Sequence, residues 1–180
     1  MTSKTTGKTF DAGPLADVDC HASGDRWTLT FVRELHHAPD KVWRALTDPA
    51  HLREWSPYTA DRDLGTPGEA TLTMIDGEVR QDLPAEVLRA DRLTLLEYSW
   101  GGDHVRWELA PIAGGTRLTL RHTLTDRDWA AKVAAGWHIC LAVADRLLDG
   151  HPVGPIVGEN ARNYGWDGLS DAYAKRLGTG

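Results

Sequence analysis

The sequence predicts an α+β fold: a curved antiparallel sheet wrapped around one long C-terminal helix, with two short helices after the first main strand. Three observations lead there. Between residues 70 and 124 the polarity alternates in short runs separated by turn residues, the pattern of a strand meander. Residues 130–148 switch to the 3.6-residue period of a long amphipathic helix. Two proline-led stretches, at Pro39 and Pro49, stand ahead of the meander as short helices.

The elements follow in order. Residues 1–14 are polar and are expected to fray, as chain ends do. Leu15–Val18 and Trp27–Val32, around Ser23-Gly24-Asp25, suggest a hairpin. In the helix from Pro39, Val42, Trp43 and Leu46 share a face; Asp48-Pro49 then sets an N-cap and first turn for a second helix carrying Leu52 and Trp55. The meander comprises Ala70–Ile75, closed by the hairpin dipeptide Asp76-Gly77, then Leu83–Arg89, Leu93–Trp100, Val105–Ala110 and Arg117–Leu124. Pro84 argues against a central place for its strand. Thr125 to Asp128 reads as a capping box. Ala130, Val133, Ala134, Trp137, Leu141, Ala144 and Leu148 then form the helix stripe, and Gly150 ends it. His151–Gly158 is a linker, and Trp166, Leu169, Tyr173 and Leu177 mark a last amphipathic helix. The organisation expected is a tail over 1–14, one domain over 15–150, and an added linker and helix over 151–180.

Composition narrows the function. At 180 residues, 41% hydrophobic and 26% charged, the chain is an ordinary single-domain length with material for a core. Twenty Lys and Arg against 26 Asp and Glu leave a net charge of −6, which repels phosphate backbones, so no nucleic-acid partner is expected. No apolar run is long enough to span a membrane and the N-terminus lacks a signal-peptide core, so a cytoplasmic protein is expected. Cys20 and Cys140 read as reduced thiols rather than a disulfide framework. Eight Trp against two Phe is an unusual balance; indoles in surplus often line pockets or interfaces.

Val42-Trp43-Arg-Ala-Leu46-Thr-Asp48-Pro49, Leu52-Arg-Glu-Trp55, Val105-Arg-Trp107-Glu-Leu109, Gly115-Thr-Arg-Leu118-Thr-Leu120-Arg-His122 and Gly136-Trp137-His138-Ile-Cys140-Leu141 resemble the SRPBCC (START-like, helix-grip) superfamily. Within it they resemble the branch named after the activator of heat-shock-protein-ninety ATPase. The resemblance covers about residues 27–150. It implies the helix-grip fold and a variable ligand pocket between sheet and long helix; it also brings in polyketide cyclases and aromatases, and a co-chaperone, as functional relatives.

Phosphate loops, dinucleotide glycine signatures, nucleophile elbows and His-Glu-x-x-His are absent. His36 and His37, adjacent on a strand end, point to opposite faces, so no metal site is expected with Asp48 and His51, and no cofactor. His122 continues the period-two series Leu118, Leu120 and should point inward with them. Glu97, in register with Leu93, Leu95 and Ser99, is expected to do the same and to pair with a cavity cation or with His122. Trp107 alternates with Val105 and Leu109 as an inward wall. Trp137, His138 and Leu141 lie on or beside the helix stripe, and Trp55 is expected at the mouth.

The expected function is binding of a small, largely apolar molecule in the cavity, as a carrier or sensor, through Trp55, Glu97, Trp107, His122, Trp137, His138 and Leu141. A cyclase-like enzyme using Glu97 or His122 as acid and base is the alternative, and a co-chaperone acting on a heat-shock ATPase the second. A homodimer stays open.

Overall fold

The computed structural model describes residues 10–179. Strands β1 (Asp17–Ser23) and β2 (Arg26–Leu35) form the opening hairpin; helices α1 (Pro39–Thr47) and α2 (Pro49–Trp55) follow. Then come β3 (Tyr58–Ala60), β4 (Gly68–Asp76), β5 (Val79–Asp91), β6 (Leu95–Trp100), β7 (Asp103–Ile112) and β8 (Gly115–Leu124). Helix α3 (Ala130–Leu148) and helix α4 (Trp166–Leu177) complete the chain. All neighbouring strands are antiparallel, in the order β1-β2-β8-β7-β6-β5-β4-β3. The α+β helix-grip expectation holds.

Helix α3 lies in the concave side of the sheet. Leu29 and Phe31 of β2, Leu96 and Tyr98 of β6, Val105 and Trp107 of β7, and Leu118 and Leu120 of β8 are buried against it. Alternation explains the selection: one face of each strand meets the helix, the other meets water. From Ala130 to Ala144 nearly every residue of α3 is buried, because sheet, α2 and α4 cover it from several sides.

Three local expectations are revised. Thr125 does not cap α3; Asp126 Oδ1 accepts from the Asp128 amide at 2.9 Å and starts a short 3-10 turn, Arg127–Trp129, before the helix. Pro84 sits in β5, a strand flanked on both sides by β4 and β6. Its pairing with β6 covers only Val87–Asp91 and carries a register shift between Val87 and Arg89, so Pro84 lies beyond the regular ladder. Residues 10–16 are held rather than frayed. Phe10 packs edge-on against Tyr164, and the Ala16 amide donates to the Tyr173 hydroxyl at 2.9 Å. The rest of the expected tail, residues 1–9, lies outside the described residues.

The segment after α3 is part of the same packing. Gly150 (φ +83°) turns the chain out of the helix. Residues 151–157 then cross towards β4, with Ile156 buried. At Gly158 (φ +58°) any Cβ would collide with the Asp76 carboxylate, which also accepts from the Glu159 amide at 3.3 Å. Only glycine permits that approach. This strap ends in α4, whose Tyr173 is fully buried against the core.

Candidate functional site

A largely apolar cleft of about 470 Å³ lies between α3, the ends of β6, β7 and β8, and the strap. Trp100, Trp137, Met74 and Ile156 supply its apolar walls, Trp129 and Trp166 its outer rim, and Asp103, His122 and Lys132 its polar groups. Trp129 is 56% exposed, the most open indole at the rim.

Strand geometry sets the polar corner. On β8, Leu118, Leu120, His122 and Leu124 alternate inward, as their spacing predicts. Val105 stands directly across from His122, and Asp103 is two residues from Val105 on the same face. Asp103 is therefore a diagonal neighbour of His122, and its Oδ2 lies 2.7 Å from His122 Nε2. On the other side of the ring, Trp137 Nε1 donates to His122 Nδ1 at 3.0 Å. An indole N–H can only donate, so Nδ1 accepts and the proton sits on Nε2, which donates to Asp103. Trp100 stacks close by, its ring centre 5.6 Å from that of His122 and 6.0 Å from that of Trp137. The Trp100 Nε1 is buried without a hydrogen-bond partner among the described residues.

Helix α3 contributes an opening as well as walls. Gly136 lies on its cleft-facing side, and a Cβ there would meet nothing within 4 Å. A glycine inside a helix costs about 1 kcal/mol relative to alanine, and here the sequence leaves the space empty.

The other expected site residues go elsewhere. Glu97 faces the outer side of the sheet, where it meets His104 at 2.9 Å and Arg106 at 3.0 Å. The inward series on β6 is Leu96, Tyr98 and Trp100, not Leu95, Glu97 and Ser99. Leu93 has φ +71° in the turn before the strand, so the count from Leu93 does not carry into β6. Adjacent leucines at 95 and 96 made either face plausible from spacing alone. Beside Glu97, Glu108 accepts from Arg106 and Arg121. Burial alone would raise its carboxyl, but those hydrogen bonds outweigh it and hold it below the usual range.

Trp55, Trp107 and Leu141 are 1% exposed and belong to the core, not to the cleft. Trp55 donates from Nε1 to the Ala45 carbonyl at 2.8 Å, which anchors α2 on α1 rather than guarding a mouth. Trp107 donates to the Tyr98 hydroxyl at 3.0 Å, which in turn contacts the Tyr58 hydroxyl. Burial pushes Tyr98 up to about 12 and Tyr58 well above its ordinary value, so both stay protonated. Burial likewise raises the Cys140 thiol, at the cleft floor, to about 12.

His138 points away from the cleft. It is completely buried, with Nε2 2.8 Å from the Ala12 carbonyl and Nδ1 2.7 Å from the Tyr173 hydroxyl. The carbonyl can only accept, so Nε2 carries the proton; Tyr173 donates to Nδ1 and accepts from the Ala16 amide. Burial lowers the affinity of His138 for a second proton. Only His122 and Trp137 of the expected residues line the cleft; Asp103, Trp100, Gly136, Trp129 and Trp166 join them. Asp103 was legible only as a turn residue in Gly101-Gly102-Asp103, though its place at the strand end opposite His122 was a usable signal.

Among the described residues one group could offer three metal ligands: His37, Asp145 and Asp149. His37 Nε2 lies 3.0 Å from Asp145 and 3.3 Å from Asp149, and the Arg33 guanidinium approaches the other Asp145 oxygen at 3.6 Å. That is an ion-pair network closing the end of α3 against β2.

A sheet gripping a helix, with a cleft between them, defines a helix-grip protein. The chain belongs to the family described as activator of Hsp90 ATPase homolog 1-like protein, whose model matches residues 36–149. Similar solved structures extend the likeness beyond that stretch. CalU16 from Micromonospora echinospora is 20% identical with a TM-score of 0.66, over 89% of this chain and 95% of that one. A conserved protein of Enterococcus faecalis reaches 0.67 at 14% identity, over 89% and 90%. An AHSA1-like protein from Aeromonas hydrophila reaches 0.55 at 22%, over 67% and 92%. These likenesses carry the fold alone. No curated protein matches the chain.

Proposed function

We propose that this protein binds a small, largely apolar molecule in the cleft beside Trp137, as a carrier or sensor in the cytoplasm. The observation that carries this reading is Gly136. A helix interior tolerates a glycine at a cost, and this one borders a space of ligand size lined by four indoles, with nothing within 4 Å of where its Cβ would stand. The test is titration with a panel of hydrophobic aromatic compounds, read as quenching of tryptophan fluorescence. Some members are expected to quench saturably. Gly136→Leu, which fills the opening, is expected to abolish that response while leaving the melting temperature unchanged or higher. Purely linear quenching across the panel would overturn the reading.

A cyclase-like enzyme is the second reading, and the Asp103–His122 pair at 2.7 Å favours it. The pair envisaged from the sequence, Glu97 with His122, is replaced by this one. Turnover of a poly-β-ketone probe that is lost in Asp103→Asn would establish the enzyme; unchanged probe would remove it.

A further inference from the structure

The polar groups of the cleft are few enough to be accounted for one by one. His122 has no ring nitrogen to spare, since Nδ1 accepts from Trp137 and Nε2 donates to Asp103. Asp103 is different. Its Oδ2 takes the His122 proton, and Oδ1 has no protein donor among the described residues. No Lys or Arg side chain among them comes within 4.0 Å of its carboxylate, although thirteen other ion pairs or His–carboxylate contacts occur among the described residues. The side chain is one-third exposed and opens into the cleft.

The walls carry the same electrostatic sign. Indole faces are the negative ends of quadrupoles and attract cations. At the rim two of them already hold protein cations: Lys132 Nζ sits 4.7 Å over Trp129, and the Arg162 guanidinium 5.9 Å from the Trp166 ring centre. Deeper in, Trp100 and Trp137 have no such partner among the described residues. For an anionic ligand the one Lys or Arg lining the cleft among the described residues is Lys132, exposed and already lying on Trp129; the unpartnered Trp100 Nε1–H is a neutral donor, and Asp103 would meet the anion as a like charge. The net charge of −6 adds to that bias.

We infer that the cleft selects an organic cation: a molecule with an apolar or aromatic body and an ammonium group that pairs with Asp103 between the indoles. This rests on the reading of the cleft as a ligand site and adds the charge of what enters it. Asp103 is then the residue that decides specificity, and His122 and Trp137 are positioning residues that aim its carboxylate.

The test uses three probes with one shared body: 1-naphthylmethylammonium, 1-naphthalenemethanol and 1-naphthoate, titrated calorimetrically into the full-length protein. The ammonium is expected to bind about tenfold more tightly than the alcohol, the gain of an ion pair with the Asp103 carboxylate over a hydrogen bond from an uncharged hydroxyl, with the carboxylate weakest. Asp103→Asn keeps an oxygen to accept from His122 Nε2 and removes the charge. It is expected to erase the preference for the ammonium while leaving the alcohol's affinity in place. Should that variant not fold, the wild-type protein still decides: raising sodium chloride is expected to weaken the ammonium and not the alcohol. Equal binding of ammonium and alcohol, or preference for naphthoate, overturns the inference and leaves the ligand-site reading standing. Failure of all three probes to bind saturably overturns both.

Discussion

Two histidines on opposite sides of α3 show how the same chemistry serves different ends. His122 and His138 are both buried, both bonded at both nitrogens, and both hold their proton on Nε2. Around His138 every neighbour is packed: Phe31 and Tyr173 flank the ring, and the chain at Ala12 closes over it. Around His122 one side is open cleft, and its acceptor, Asp103, is partly in water. The hydrogen-bond count is equal, so it does not tell a structural histidine from one at a candidate site. What differs is whether the space beyond the bonded partner is filled.

That comparison breaks most easily through stability. His138→Ala leaves a cavity and strands both the Tyr173 hydroxyl and the Ala12 carbonyl, for a loss of about 3 kcal/mol. His122→Ala is expected to cost about 1 kcal/mol, because water from the cleft can reach Trp137 Nε1 and Asp103. Chemical denaturation of both variants checks the ratio; equal losses would mean that the cleft wall is as closed as the His138 side.

Tyr173→Phe sharpens the closed side. It keeps the ring and removes the hydroxyl that joins Ala16, His138 and α4. The expected loss is about 1–2 kcal/mol, with proteolysis near residues 10–16 accelerated and probe binding in the cleft unaltered.

The smallest effect is a pH dependence. Burial lowers the pKa of His138 in the folded protein below its ordinary value of about 6.5. Between the two values the unfolded chain binds more protons than the folded one, so stability rises with pH through that window. It is fully present above about pH 7 and is lost progressively on acidification. Arg33, whose charge also disfavours the imidazolium, works in the same direction. Melting temperatures of wild type and His138→Gln, measured from pH 8 to pH 5, are expected to converge at the acid end; parallel curves would contradict the assignment.

Much of the architecture was legible residue by residue. Turn dipeptides, period-two alternation and the 3.6 stripe located the strands and α3, since those signals are local and repeat over many residues. The inward direction of His122 was readable because β8 runs without a bulge from Thr116 to Leu124 opposite β2. Glu97 was misplaced because the adjacent Leu95 and Leu96 put a buried leucine on each face of β6, so spacing alone did not tell the inner face from the outer. His138 was misplaced because a helix covered on several sides has no single inner face.

The sequence by itself determined the α+β helix-grip and the order of its strands along the chain, and it has no apolar run long enough to cross a membrane; among the described residues no helix is long and apolar enough to do so. Tertiary structure alone decided which polar side chains share the cleft. Asp103 and His122 are 19 residues apart, and His138 and Ala12 are 126 apart. The first pair meets because a β-hairpin folds at one register and not the next, and the second because the chain end lies over a helix. Spacing reports which face of its own element a residue occupies; what stands opposite that face is set by how the elements close on one another.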